Sequence, residues 1–281
     1  MKLVTIAIPI YNAERYLRDA IQSVINQTYK DWILYLINDG SSDQSISIMQ
    51  EFVMNDSRIK IINDGLNKGL VTRLNQSIEL TETKYYARMD ADDIMSIYRI
   101  EEQVKFLEEN PDVDVCGTSI MTINSNNIII GSGFCEGATT GFIHPTVMGK
   151  TKWFKSHLYA DWAVRAEDFE LWMRTSKMSN FYAIGKPLLF YREFGVPIFS
   201  KYYATQKTLL RIYANYKTYD KSIFWSIKNS IQTIAKIIIS AFLTLCKKTD
   251  AMISLRRRKH LPKSLWLTND DIDIAIHNPH K

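Results

Sequence analysis

The sequence predicts an α/β fold in which a mostly parallel sheet carries helices on both faces, followed by a separate helical extension. Three observations predict it. Between Leu3 and Met89, apolar runs of strand length alternate four times with runs of helical periodicity. That alternation implies right-handed crossovers between parallel strands, so every strand-to-helix loop gathers on one sheet edge. Past residue 195 the character changes: residues 195–265 hold 14 Lys and Arg against 2 Asp and Glu, an excess of 12, while the whole chain carries only +5. The rest of the chain is therefore acidic.

Leu3 to Ile8 reads as the first strand. Its apolar run is interrupted at Thr5, stops at Pro9 and has no small-residue cleavage site, so it does not read as a signal peptide. Asn12 is the expected N-cap of a helix with Leu17, Ala20, Ile21, Val24 and Ile25 on one face. Trp32 to Ile37 is nearly continuous apolar sequence, as a strand covered on both faces is. A helix carrying Ile46, Met49, Phe52 and Val53 inward leads to a short strand over Arg58–Ile62. Another helix, with Leu70, Leu74 and Ile78 on one stripe, leads to the strand that delivers Asp90. Gly131-Ser132-Gly133 reads as a mobile loop.

With 281 residues, 46% hydrophobic content and 23% charge, the chain can bury a full core. Cys116, Cys135 and Cys246 form no C-x-x-C pair, which argues for a reducing compartment and against a disulfide framework or a zinc site. Cys135 has no evident basic partner to make it a nucleophile.

The loops after Ile8, Ile37, Ile62 and Met89 are loaded with Asn, Asp, Gly and Ser. Ligands of open α/β sheets bind outside the carboxyl ends of the strands, so these loops are expected to line one crevice holding both Asp39 and the Asp90-Ala91-Asp92-Asp93 cluster. Three carboxylates so close repel one another and call for a divalent cation or basic groups. As hard oxygen ligands they suit Mg²⁺ or Mn²⁺ shared with the phosphates of a substrate. No G-x-x-x-x-G-K-[ST] and no G-x-G-x-x-G after the first strand is present. A haloacid-dehalogenase-type phosphatase would need D-x-D-x-[TV] after the first strand, whereas this cluster follows the fourth.

Pro9-Ile10-Tyr11-Asn12, Asn38-Asp39-Gly40-Ser41-Ser42-Asp43, Asn67-Lys68-Gly69-Leu70 and Asp90-Ala91-Asp92-Asp93 resemble the successive signatures of family 2 glycosyltransferases, which have the GT-A fold. The resemblance continues through Ile143-His144-Pro145-Thr146, Glu167-Asp168-Phe169-Glu170-Leu171-Trp172 and Pro187-Leu188-Leu189-Phe190-Tyr191-Arg192. It implies a catalytic domain over residues 1–194, with a nucleotide-sugar half to about 117 and an acceptor half from about 118. Residues 195–281 would be the basic helical extension.

The resemblance also implies roles. Asp39 would hydrogen-bond the uracil of a UDP-sugar, with Pro9, Tyr11 and Asn67 beside the nucleotide and Asp90 near the ribose. Asp92 would hold a Mn²⁺ or Mg²⁺ ion bridging the diphosphate. Asp168 would be the general base that deprotonates the acceptor hydroxyl for in-line attack with inversion. His144, Glu167 and Trp172 are the acceptor-side candidates; His144 is otherwise structural, and Trp172 either stacks on a sugar or packs in a core. Arg73, one place before the usual arginine position, is not assigned to a phosphate. The Q-x-x-R-W motif of processive synthases is absent, which favours addition of one sugar.

The implied activity is transfer of a hexose, UDP-Gal or UDP-Glc being the favoured donors, to a lipid-diphosphate-linked saccharide in bacterial surface polysaccharide synthesis, with a β-linkage. The different-class alternative is a non-catalytic UDP-sugar-binding scaffold. At the C-terminal end, Ile227, Ile231, Ile234, Ile238, Ala241, Phe242 and Leu245 recur at helical spacing, opposite Lys228, Gln232 and Lys236. The longest uncharged run, Ile237 to Cys246, is well short of the roughly 20 residues that span a bilayer. The segment is expected to lie on the cytoplasmic face of an inner membrane, with residues 227–259 as its contact and Lys247, Lys248 and Arg256-Arg257-Arg258-Lys259 drawn to anionic headgroups. Packing on the catalytic domain or on a dimer partner is the alternative. No nucleic-acid partner is expected.

Overall fold

The four expected strands and the three helices between them form. β1 (Val4–Ile10), β2 (Trp32–Asn38), β3 (Ile59–Ile62) and β4 (Tyr85–Arg88) are connected by α1 (Leu17–Ile25), α2 (Ser45–Asn55) and α3 (Leu70–Glu79). The computed structural model describes residues 3–137, 142–193, 199–246 and 260–277. These fall into two compact units, one of residues 1–158, 178–193 and 259–281, the other of residues 159–177 and 194–258.

In the first unit the four strands pair in parallel in the order β3-β2-β1-β4. Ile10 lies opposite Asn38 and Ala7 opposite Arg88, so the chain leaves β2 towards Asp39 and β4 towards Asp90 at the same edge. The core beneath is built from alternate strand residues, Ile6, Ile8, Leu34 and Leu36, against Leu17, Ile21 and Val24 of α1, all fully buried. Each such side chain contributes roughly 1.5–3 kcal/mol, which anchors the polar loops above.

Beyond β4 the sheet is mixed. It continues with β8 (Met148–Lys150), β6 (Val115–Ile123), β9 (Phe181–Arg192) and β5 (Ile94–Met95), with β7 (Ile129–Gly133) paired to β6. Only β6 and β9 pair in parallel there; β4–β8, β6–β8, β6–β7 and β5–β9 are antiparallel. The expectation of a mostly parallel sheet thus holds for the first four strands. The β6–β7 connection is too short for the crossover that parallel pairing needs. α4 (Arg99–Glu109) and the short α5 (Thr151–Ser156) complete the cover.

Two local expectations are corrected. Asn12 does not cap α1, which begins at Leu17; it adopts φ 49 and ties two loops together, its N–H donating to Ser41 Oγ (3.1 Å) and its Oδ1 accepting from Ser42 N (2.8 Å). Gly131-Ser132-Gly133 is not a loop but the end of β7, and a Cβ on Gly131 would meet Thr122 Oγ1 of β6 at 2.9 Å. The glycine there permits a close approach.

α9 (Asn269–His277) also belongs to the first unit, which corrects the expected division into residues 1–194 and a single 195–281 extension. Ile272, Ala275 and Ile276 enter a cluster with Ile94, Met121 and Phe190, and Asn26 Nδ2 donates to the carbonyls of Ala275 (2.9 Å) and Ile276 (3.1 Å).

The second unit is helical. α6 (Glu167–Thr175), α7 (Phe199–Ala214) and α8 (Ile223–Leu245) contribute to it, around Ala166, Ile212, Tyr213 and Tyr219. Ser222 caps α8, its hydroxyl accepting from Trp225 N (3.1 Å). The buried residues of α8 are Ser226, Thr233 and Ser240, seven apart, while Ile227, Ile231, Ile234, Ile238 and Phe242 are exposed. The helix therefore turns hydroxyls inward and isoleucines outward. Ser226 Oγ donates to Tyr213 O of α7 (2.7 Å). No helix among the described residues is long and apolar enough to cross a membrane. Lys247, Lys248 and Arg256–Lys259 lie outside the described residues.

Candidate active site

Asp39 follows β2 directly and organises the loop that enters α3. Its Oδ1 accepts from Lys68 N (2.7 Å), Gly69 N (3.1 Å) and Arg73 Nε (3.0 Å), and its Oδ2 from Gly69 N (3.1 Å). Gly69, the N-cap of α3, sits at φ +84, which glycine adopts without penalty. Gly40 is also at positive φ (+70), and in addition a Cβ there would meet Asn67 N at 2.8 Å. Arg73 is fully buried; besides Asp39 it donates to both oxygens of Asp64, to Gln76 Oε1 (2.9 Å) and to the carbonyl of Leu66. These bonds, with Lys68, hold the Asp64 carboxyl far below the usual range. Arg73 is thus the internal brace of the Asp64–Gly69 loop. Tyr11 is 57% exposed and Asn67 is also exposed, while Pro9 is half-buried.

The second carboxylate group comes from the loop after β4. Oxygens of Asp90, Asp92 and Asp93 all lie within 4.8 Å of one another. Burial, then the charge of Asp90, raises the Asp92 carboxyl to about 6; the same causes, with Asp92 added, push buried Asp93 well above its usual range. Asp93 Oδ2 is buried without a hydrogen-bond partner among the described residues. A divalent cation would answer both features, because it favours the ionised carboxylates and occupies the orphan lone pair. An all-oxygen donor set of this kind fits Mg²⁺ or Mn²⁺.

Arginines fix the cluster from below. Arg88, in β4, donates to Asp90 Oδ1. Arg192, at the end of β9, gives its backbone N–H to Asp93 Oδ1 (2.8 Å) and its Nε to the Asp92 carbonyl (2.7 Å). Its remaining nitrogens reach Asn124 O and Asn127 Oδ1, both at 2.7 Å, and its guanidinium lies 4.1 Å from the Tyr16 ring centroid. Fully buried Arg99 donates to Arg88 O (2.8 Å), and burial lowers it to about 9. Sequence reasoning gave these three residues no role. Arg192 closes a motif that was noted, but nothing local to it signals that it braces a loop some hundred residues away.

His144 opens a 3₁₀ turn, His144–Thr146, and is buried. Burial first, and the charge of Arg88 second, push its imidazole well below its usual value, so it is neutral near pH 7. Glu167, Asp168 and Trp172 are on α6 of the second unit. Asp168 is half-buried in the first turn, where its Oδ1 accepts from Phe169 N (2.8 Å). Trp172 is 2% exposed, so its ring packs inside and is not the open sugar platform that was one of its two readings. Cys135 is half-buried, and burial pushes its thiol up, away from nucleophilic use.

The model of the family described as Glycosyl transferase family 2 matches residues 5–158, more than half of the chain. The chain is a family 2 glycosyltransferase. An uncharacterised glycosyltransferase of Haemophilus influenzae is 32% identical to this transferase over 216 residues, which cover 69% of this chain and 66% of the relative. A putative glycosyltransferase, EpsE, of Bacillus subtilis is 33% identical over 182 residues, covering 61% and 66%. The match thus spans just under two thirds of these relatives' own length. Among solved structures, S. aureus TarS residues 1–349 in complex with UDP-GlcNAc superposes with a TM-score of 0.65 at 15% identity, covering 83% of this transferase and 71% of that chain. The mannosyltransferase PcManGT of Pyrobaculum calidifontis, in complex with GDP-Man and Mn²⁺, gives 0.59 at 15% identity, covering 97% and 85%. Both likenesses show the GT-A fold.

Proposed function

We propose that this transferase moves one hexose from a UDP-sugar, UDP-Gal or UDP-Glc, to a lipid-diphosphate-linked saccharide in surface polysaccharide synthesis, inverting the anomeric centre to a β-linkage. The observation that carries the reading is the convergence of Asp39 and the Asp90–Asp93 carboxylates on one sheet edge, with Asp93 Oδ2 left open. The UDP-GlcNAc complex of TarS supports a uridine donor.

In this reading the nucleotide lies against Pro9, Tyr11 and Asn67, with Asp39 turned to the uracil and Asp90 to the ribose. Asp92, aided by Asp93, would hold a divalent cation, which when bound neutralises charge on the departing diphosphate. Asp168 removes the proton from the acceptor hydroxyl as that oxygen bonds to C1 and the C1–O bond to UDP breaks. Glu167 and neutral His144 would bind the acceptor.

The reading includes attachment to the cytoplasmic face of the membrane through residues 227–259. Its support is the outward isoleucine face of α8 with exposed Lys228 and Lys236 beside it, which suits an apolar layer edged by anionic headgroups. The test is to offer UDP-Glc, UDP-Gal, UDP-GlcNAc, UDP-GalNAc and GDP-Man with diphosphate-linked GlcNAc or GalNAc lipids, and read products by mass and by NMR anomeric coupling. A single β-linked hexose from a UDP donor is expected. Consumption of GDP-Man alone, or an α-linked product, contradicts the reading.

A further inference from the structure

At the sheet edge opposite the carboxylates lies a cavity of about 490 Å³, within the size range of small-molecule sites. β4 enters the sheet at Tyr85 and leaves it towards Asp90, so Tyr85 marks the far edge from the donor crevice. There the antiparallel ladder sets Tyr85 opposite Lys150, and Thr151 N donates to Lys84 O (3.0 Å). Two lysine-bearing segments are thereby pinned together. α5 then carries Lys152 and Lys155 three residues apart, hence on one helix face. Leu107, Glu108 and Pro111 from the end of α4 form a second wall, and Thr81, Glu82 and Thr83 a third. Buried Leu107 and Tyr85 make the depth of the cavity apolar, while four lysines and two glutamates line it.

The charges do not cancel internally. Lys84 pairs with Glu108 (2.7 Å) and Lys150 with Asp114 (3.1 Å). Lys152 and Lys155 meet no carboxylate within 4 Å among the described residues, and Glu82 is the one lining carboxylate left over, so the cavity keeps a net charge of about +1. Thr151 also lines the cavity, and its Oγ1 is buried with no hydrogen-bond partner among the described residues. A buried hydroxyl without a partner is costly, and this one directly precedes Lys152 in sequence.

We infer that this cavity binds a phosphodiester monoanion joined to an apolar group. One negative charge matches the net +1, whereas a diphosphate would be repelled by Glu82. Lys152 and Lys155 supply the cationic donors, Thr151 the hydroxyl, and Leu107 with the Tyr85 ring the apolar contact. The ligand is separate from the donor nucleotide, which belongs to the other edge.

The experiment titrates the full chain, by calorimetry, with monomeric dihexanoyl-phosphatidylglycerol, with its chain-free counterpart glycerophosphoglycerol, and with inorganic phosphate. Saturable binding of the short-chain lipid that weakens about tenfold or more in K152Q/K155Q and in T151V, with UDP binding unchanged, supports a lipid-derived ligand. Equal binding of glycerophosphoglycerol, even with the same variant losses, overturns the inference, because the apolar group would then contribute nothing. No saturable binding of either diester, a preference for inorganic phosphate, or variants that bind like the parent overturns the inference. Because the readout is binding, it stands or falls independently of the proposed reaction.

Discussion

Asp168 occupies the first turn of α6 together with Glu167 and Glu170, and its Oδ1 accepts from Phe169 N (2.8 Å). A carboxylate there is the group proposed as general base. Asp168→Asn keeps the size and the contact with Phe169 N while removing the base, so turnover should fall about 10²- to 10⁴-fold with UDP affinity unchanged. Lost UDP affinity, measured by calorimetry, would mean that Asp168 serves the donor and not the acceptor. At this scale the sequence is legible where chemistry is local. Asp39 and Asp90 announce themselves as carboxylates at strand ends. Arg73, Arg99 and Arg192 do not, because a buried guanidinium is defined by partners that only folding assembles: Arg192 Nε meets the Asp92 carbonyl across 100 positions of sequence. Breaking the buried ion pair of Arg73 with Asp39 costs about 3–5 kcal/mol, so Arg73 serves the site by serving stability.

Among the elements, α8 departs most from the pattern of a globular helix. Its inward face is Ser226, Thr233 and Ser240, and its outward face includes Ile231 at 62% and Phe242 at 63% exposure. Apolar area and basic charge are separable contributions to membrane binding, and salt screens only the second. Ile234→Ser with Ile238→Ser should release the chain from anionic vesicles in a flotation assay even at low salt, with the far-UV circular dichroism and thermal midpoint unchanged. A variant that unfolds instead would make this face a core or an interface. The periodicity of α8 was readable from the sequence because Ile, Phe and Leu mark one face whatever covers it. The start of α1 and the nature of β7 were not. Asn12 is a good cap by type but is engaged by the Ser41–Ser42 loop, and the glycines of β7 answer to Thr122 on another strand.

Across the whole molecule, the early alternation of strands and helices made the parallel pairing of β1 to β4 readable, and with it the shared edge from which the chain runs to Asp39 and Asp90. The mixed half of the sheet was not readable, since short antiparallel strands such as β5 and β8 carry too few residues for a periodic signal. Nor was the return of α9 to the first unit, which depends on contacts more than 240 residues apart in sequence. The central claim is that the donor edge binds UDP through a cation held at Asp92. Without a cation the folded chain keeps a proton on Asp92 up to about pH 6, so that stabilisation is present below the ordinary carboxylate range and lost as pH rises through about 6. A cation competes with the same proton. The deciding measurement is calorimetric titration of UDP into the protein with Mn²⁺ or with EDTA, at about pH 7.5 and about pH 5, for the parent and Asp92→Ala. The account predicts Mn²⁺-dependent binding that weakens at the lower pH and loses at least about tenfold in Asp92→Ala. UDP binding that is equally tight in EDTA, at either pH or in Asp92→Ala would contradict it.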